Sequence, residues 1–317
     1  MTLLFSLTVF LISVAFLILA AKFFTQAAEV IGYGLGLSPF VVGVVIVSIG
    51  TSLPELISAI AAAQSENSEI VAGNVIGSSL SNILFVLGLT ALFSPKRIDL
   101  GAQYIYVDLN FLAGAAFILT VIMYDGTMHL AESLLGLIAY VVYLYYLLKT
   151  GGSTEDDEPA VQQQSNAPSS HWKSISILIA SGVVIYFAAN KTIESLSGIA
   201  DQLGISKAIV SMTLLSLGTT LPECVVSVSA ALAGKSQIAV GNVLGSCIFN
   251  ALAIPGVAAC FGTLNVPAEL IGFSLPAYGG LILLFYLLTQ DKKISAFEGA
   301  LFLVIYALFI GKVSQLL

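Results

Sequence analysis

The sequence predicts an all-α integral membrane protein with ten transmembrane helices in two inverted five-helix repeats. Three observations carry this reading. Hydrophobic residues make up 58% of the chain and charged residues only 9%, far below the roughly 25% charged share of a soluble domain. Ten runs are long and apolar enough to cross a hydrocarbon core about 30 Å thick. A block of the first half returns in the second at a constant offset of 168 residues, which marks an internal repeat.

The elements follow in order. Leu3–Ala21 carries no charge, and nothing before Lys22 is basic. A cleavable leader would place basic residues before a shorter apolar core, so a retained span is expected. The spans are expected near residues 3–31, 39–64, 69–93, 104–124 and 129–148, then 174–200, 207–233, 237–261, 268–289 and 295–316. Between the two sets, 149–173 holds GGST, the acidic run Glu155, Asp156, Asp157 and Glu158, a QQQSN stretch and two prolines. That composition reads as a flexible linker. The domains are therefore a first repeat over 1–148, the linker over 149–173 and a second repeat over 174–317.

The repeat is specific. Gly50-Thr-Ser-Leu-Pro-Glu55 returns as Gly218-Thr-Thr-Leu-Pro-Glu223, and Gly73-Asn-Val-Ile-Gly-Ser78 returns as Gly241-Asn-Val-Leu-Gly-Ser246. Asn82 returns as Asn250, and 15 of the 33 positions across 50–82 are identical without a gap. An odd number of spans per half forces the second half to begin on the opposite side, the inverted architecture of secondary transporters. With the N-terminus outside, eight Lys and Arg residues fall on the cytosolic side and three outside. The positive-inside rule then puts both termini outside and the linker in the cytosol, in a multi-pass protein of the cell membrane.

Other classes fall away. The net charge of −7 and the lack of a basic patch argue against a nucleic-acid partner. There is no nucleophile–base pair and no phosphate loop, so neither an enzyme nor a cofactor is expected. Cys224, Cys247 and Cys260 lie in apolar segments with no disulfide or zinc-type spacing and read as packing residues. Glu29 and seven other acidic residues fall at span ends or lack a repeat partner, and read as interfacial.

The repeated motifs carry the chemistry. Pro54 and Pro222 lack an N–H, so each removes the helical donor from the carbonyl four residues back, at Gly50 and Gly218. Freed carbonyls at membrane depth persist only where they line a cavity or meet a ligand. Ser48, Thr51, Ser52 and Glu55 share one helical face, and Asn74, Ser78 and Asn82 form a polar stripe at i, i+4, i+8. The second half repeats them with Thr219, Thr220, Glu223, Asn242, Ser246 and Asn250. Gly73 with Gly77, and Gly241 with Gly245, are small-xxx-small pairs that let helices approach.

Every donor atom on offer is oxygen, which suits calcium or sodium and not zinc or copper. One calcium ion neutralises a facing carboxylate pair, and so do two sodium ions or two protons. These cations must therefore compete for the site. A channel would line its filter from several subunits or open helices, whereas two broken helices in one chain fit alternating access.

The motifs GTSLPE with GNVIGSSLSN, and GTTLPE with GNVLGSCIFN, closely resemble the two alpha-repeats of the sodium/calcium exchanger family. The resemblance implies a prokaryotic-type member without regulatory domains, exchanging calcium for sodium by alternating access. It also implies roles. Glu55 and Glu223 would be shared calcium and sodium ligands, and Thr51 and Thr219 would give carbonyls to calcium. Ser48 and Ser216 would give carbonyls to sodium, and Ser52, Thr220, Ser78 and Ser246 hydroxyls to sodium. Asn82 and Asn250 would line the centre. Some relatives, including potassium-dependent exchangers and some prokaryotic members, carry Asp where this chain has Asn250, and its absence argues against potassium cotransport. The family pattern of three sodium ions per calcium would move one net positive charge per cycle. The alternative is a calcium/proton antiporter using the same two glutamates. The expected partners are calcium and sodium ions and the lipid bilayer, with a single chain sufficient for function.

Overall fold

The computed structural model describes residues 3–64, 68–100, 108–150, 171–202 and 207–316; most of the expected linker lies outside these. The chain is helical with two small strand pairs. The helices are α1 (Leu3–Gly34), α2 (Pro39–Thr51), α3 (Leu53–Ala63), α4 (Glu69–Phe93), α5 (Asp108–Met123) and α6 (Leu130–Thr150). They continue with α7 (His171–Gln202), α8 (Lys207–Leu232), α9 (Ser236–Ala258), α10 (Leu270–Leu288) and α11 (Ala296–Leu316). Among the described residues, seven helices are long and apolar enough to cross a membrane, and α2 with α3 forms an eighth, bent candidate.

Local chemistry sets the boundaries. Gly36, at φ 74°, turns the chain after α1, and Ser38 caps α2 by accepting a hydrogen bond from the Val41 N–H, with Pro39 in the first turn. Gly234, at φ 79°, ends α8 with the Lys235 N–H bonded to the Ala230 carbonyl at 2.9 Å, an αL stop that Cβ-bearing residues resist. Ser295 and Glu298 form a reciprocal capping box ahead of α11.

Burial places α4 and α9 at the centre. Their most apolar stretches are 78% and 100% buried, whereas those of α1, α6, α7, α10 and α11 are 17–33% buried. Phe16, Phe117, Tyr145 and Leu308 point outward, as lipid-facing side chains do. α1 packs along α7, where the Thr192 hydroxyl donates to Ser13 Oγ at 2.9 Å. Strand β1 (Ile98–Asp99) pairs antiparallel with β4 (Lys293–Ile294), and β2 (Thr127–Met128) pairs with β3 (Leu264–Asn265).

Three sequence expectations need correction. α2 and α3 meet at a 44° bend over Ser52, just ahead of Pro54, but α8 runs through Pro222 without a break in its helical assignment. One missing N–H removes a single bond, and the rest of the helix carries on through it. Glu29 is not a lone, solvent-seeking charge: it is buried and forms an ion pair with Lys235, at the junction of α8 and α9. Cys224 and Cys247 are buried as expected, but Cys260 is exposed in the turn after α9.

Candidate functional site

The site is built where the bend of α2–α3 and the middle of α8 meet the two central helices. α4 and α9 each carry a π-helical turn, at Ser81–Val86 and Phe249–Ala253. These turns are repeat equivalents, and each includes one member of the Asn82/Asn250 pair. A π-turn inserts one residue into the helix and re-aims its side chains, which is why such turns cluster at functional sites.

Glu55 lies in the first turn of α3 and Glu223 in α8, and both are fully buried. Ser48, Thr51, Ser52, Ser78, Asn82, Thr220, Ser246 and Asn250 are buried as well, and Thr219 is half-buried. The Ser216 side chain lies outside the described residues.

Contacts cross between the two halves. Ser52 Oγ lies 3.0 Å from both Glu223 Oε1 and Ser246 Oγ, with the carboxylate as acceptor. Asn250 Nδ2 donates to Ser78 Oγ at 3.0 Å, and that hydroxyl in turn donates to the Asn74 carbonyl at 2.6 Å. The Ser48 hydroxyl donates back onto the Val44 carbonyl, one helical turn earlier. Thr51 Oγ1 reaches Asn242 Oδ1 at 3.1 Å.

Two residues outside the expected ligand set join the site. Asn242 stood out in the sequence only as part of a polar stripe; its amide contacts Thr51, Ser227 and the Glu223 carbonyl. Ser227 gave no signal, because its repeat equivalent is Ala59.

What the protein leaves unpaired is equally informative. Both carboxylate oxygens of Glu55, Glu223 Oε2, both amide atoms of Asn82 and Asn250 Oδ1 have no hydrogen-bond partner among the described residues. A buried polar atom without a partner costs about 1–3 kcal/mol, and more when charged. A cation supplies what these oxygens lack. Nitrogen and sulfur ligands are not gathered here: no cluster of His, Cys, Asp and Glu suited to a resident metal occurs among the described residues. The atoms on offer are those that calcium and sodium accept.

An apolar helical chain with a buried, all-oxygen centre is a membrane protein of the cation-transporting class. Its sequence places it more closely: the chain belongs to the sodium/calcium exchanger family, whose pattern matches residues 5–149 and 173–313. The curated sodium/calcium exchanger MaX1 of Methanosarcina acetivorans is 30% identical, with 95% of this chain and 96% of the relative covered. An uncharacterized membrane protein of Methanocaldococcus jannaschii is 33% identical over 95% and 96% of the two chains. A solved structure of the sodium-calcium exchanger NCX_Mj, soaked with zero Na+ and Ca2+, superposes with a TM-score of 0.82. It is 28% identical, and 98% of this chain and all of that one are covered.

Proposed function

We propose that the protein exchanges calcium for sodium by alternating access through a single site centred on Glu55 and Glu223. The observation that carries this reading is the pair of fully buried carboxylates, three of whose four oxygens have no partner among the described residues. Two negative charges left in that position repel each other across a poorly solvated space. One calcium ion neutralises both, and sodium ions can replace it. Thr51, Ser52, Thr219, Thr220, Ser78, Ser246, Asn82 and Asn250 add neutral oxygens, and Ser48 and Ser216 add carbonyls. Calcium and sodium are cargo here, and no cofactor is needed. The names of MaX1 and NCX_Mj support the choice of ions.

The site rests on ten spans in two inverted repeats, over 1–148 and 174–317, joined by a cytosolic linker over 149–173. The strand pairs support the inversion. β1 follows α4, and β3 follows α9, the repeat equivalent of α4. Yet β1 pairs with β4, and β3 with β2. Among the described residues α5 is the one helix between β1 and β2, and α10 the one between β3 and β4, so the two pairs belong at opposite ends of the bundle. Equivalent connections then emerge on opposite faces. Both termini lie outside a cell membrane, by the distribution of Lys and Arg, and one chain supplies every ligand.

The test is uptake of radioactive calcium into proteoliposomes, under an imposed sodium gradient and then under a proton gradient. Sodium-driven uptake is expected. Uptake driven by protons and indifferent to sodium would favour a calcium/proton antiporter built on the same glutamates.

A further inference from the structure

We propose that Asn242, clamped by Ser227, is a positioning residue that pre-sets the Thr51–Glu223 half of the cation site and leaves the Glu55 half to adapt. This rests on the reading of Glu55 and Glu223 as the cation site. Asn242 is fully buried in α9, and its amide is almost completely used. Nδ2 donates to Ser227 Oγ at 2.8 Å and to the Glu223 main-chain carbonyl at 3.3 Å. Oδ1 accepts from the Thr51 hydroxyl at 3.1 Å.

These partners fix the amide's orientation. An amide has two N–H donors at one end and an oxygen acceptor at the other. Ser227 passes its own hydrogen to the Ala239 carbonyl at 3.4 Å, so it accepts from Asn242. A flipped amide would set its oxygen against the Glu223 carbonyl, acceptor against acceptor. Both hydrogens therefore belong on the Ser227 side, and the oxygen belongs toward Thr51.

The orientation matters for what faces a cation. Thr51 has one hydroxyl hydrogen and two acceptors in reach, Asn242 Oδ1 at 3.1 Å and the Ser48 carbonyl at 3.3 Å. That carbonyl already accepts the Ser52 N–H at 3.0 Å. By drawing the hydrogen to itself, Asn242 leaves the second lone pair of Ser48 open. It also turns the Thr51 lone pairs away from the α9 side. Both are oxygens that a cation can use without first breaking a hydrogen bond, and pre-set ligands bind with less ordering cost.

The first repeat lacks the device. Its equivalent asparagine, Asn74, is half-buried, and its side chain has no hydrogen-bond partner among the described residues. The position matching Ser227 is Ala59, which has no hydroxyl to hold the amide. The carboxylates differ in the same sense: Glu223 accepts from Ser52, whereas neither oxygen of Glu55 is held. A near-symmetric motif thus has one half held by side-chain hydrogen bonds and one half without them among the described residues.

The experiment measures calcium binding and sodium-driven calcium uptake for the purified, reconstituted full chain. The variants are Ser227→Ala, Ser227→Thr, Asn242→Ala and Asn74→Ala, with Glu223→Gln alongside. Ser227→Ala and Asn242→Ala are expected to raise the half-saturating calcium concentration about fivefold, the effect of one buried hydrogen bond. Both changes leave buried polar atoms without a partner, so melting temperature should also fall, and affinity is compared on protein that stays folded at the assay temperature. Ser227→Thr, which keeps the hydroxyl, should bind as the unaltered protein does, and Asn74→Ala should shift affinity less than half as much as Asn242→Ala. Unchanged affinity in both Ser227→Ala and Asn242→Ala, or an equal loss in Asn74→Ala, overturns the proposal. Normal exchange by Glu223→Gln would instead overturn the site assignment beneath it.

Discussion

Ser52 Oγ stands 3.0 Å from Glu223 Oε1, so a hydroxyl of the first sequence repeat holds a carboxylate of the second. The same hydroxyl lies 3.0 Å from Ser246 Oγ, also of the second repeat. Both groups are fully buried, so this contact ties the two halves together inside the bundle. Asn250 reaching Ser78 repeats the exchange in the other direction. Neither half alone holds all the residues of the candidate site.

The first prediction concerns the carboxylates. Glu55→Gln or Glu223→Gln removes half of the site's negative charge, so calcium would sit there with one positive charge uncompensated. Glutamine also brings an N–H₂ group into a place built from acceptors. Each variant is expected to fold, to keep its melting temperature within a few degrees, and to lose at least about a hundredfold in calcium uptake, since truncating one partner of a buried charge contact costs about 2–5 kcal/mol. Uptake at the unaltered rate, measured at equal protein content, would remove these residues from the site.

Much of this was legible in the sequence, for physical reasons. A membrane helix must satisfy its backbone internally and present apolar side chains to lipid, so hydropathy alone set α1, α4, α6 and α11 within a few residues of their observed ends. The repeated motif singled out Glu55 and Glu223, and both prove fully buried. Other features were out of reach. Hydropathy does not register the single extra residue of a π-turn, so those around Asn82 and Asn250 were missed. Glu29 looks interfacial from its position at a span end, and its partner Lys235 lies 206 residues away. Ser227 is found only once the fold lays α8 beside α9.

A second prediction follows from the tightest helix contact. A Cβ added at Gly241 would lie 2.4 Å from the Phe40 carbonyl oxygen and 3.1 Å from the Gly43 Cα. These are backbone atoms of α2, which cannot swing aside as a side chain can. Gly241→Ala should therefore push α2 and α9 apart and cost about 1–3 kcal/mol, as overpacking does. The added atom at Gly279 meets nothing within 4 Å among the described residues. Melting in detergent should fall by several degrees for Gly241→Ala and hardly move for Gly279→Ala; equal behaviour of the two would refute the close approach.

The third prediction separates the partners of the buried ion pair. The Glu29 side chain is 3% exposed and that of Lys235 is 29% exposed. Lys235→Met strands a carboxylate in the interior beside Tyr33, whose hydroxyl sits 3.5 Å from it, and should cost about 3 kcal/mol. Glu29→Gln removes the buried charge and leaves a lysine that can reach water, so its cost should be under about 1 kcal/mol. Thermal melting of the two variants tests the order. A larger loss for Glu29→Gln would mean that the lysine, not the glutamate, depends on the pair.

The last prediction concerns coupling, and it turns on the neutral oxygens. A proton needs one carboxylate oxygen and gains nothing from the hydroxyls of Ser52, Ser78, Ser246 or Thr220. A sodium ion beyond the two that neutralise the carboxylates has only such hydroxyl, amide and carbonyl oxygens to bind. If three sodium ions occupy the site, it carries one net positive charge; with one calcium it carries none. Membrane potential then acts on the sodium-loaded form alone, at about 2.3 kcal/mol per charge per 100 mV. Sodium-driven calcium flux in proteoliposomes should therefore shift when the potential is set with potassium and valinomycin. That clamp requires that potassium itself is not carried, an expectation that Asn250 motivates. Ser246→Ala, which removes a hydroxyl next to Ser52, should weaken sodium several-fold more than calcium, because calcium keeps both carboxylates. Equal loss for the two ions, with flux indifferent to voltage, would mean that these oxygens do not hold the extra sodium and that exchange is electroneutral.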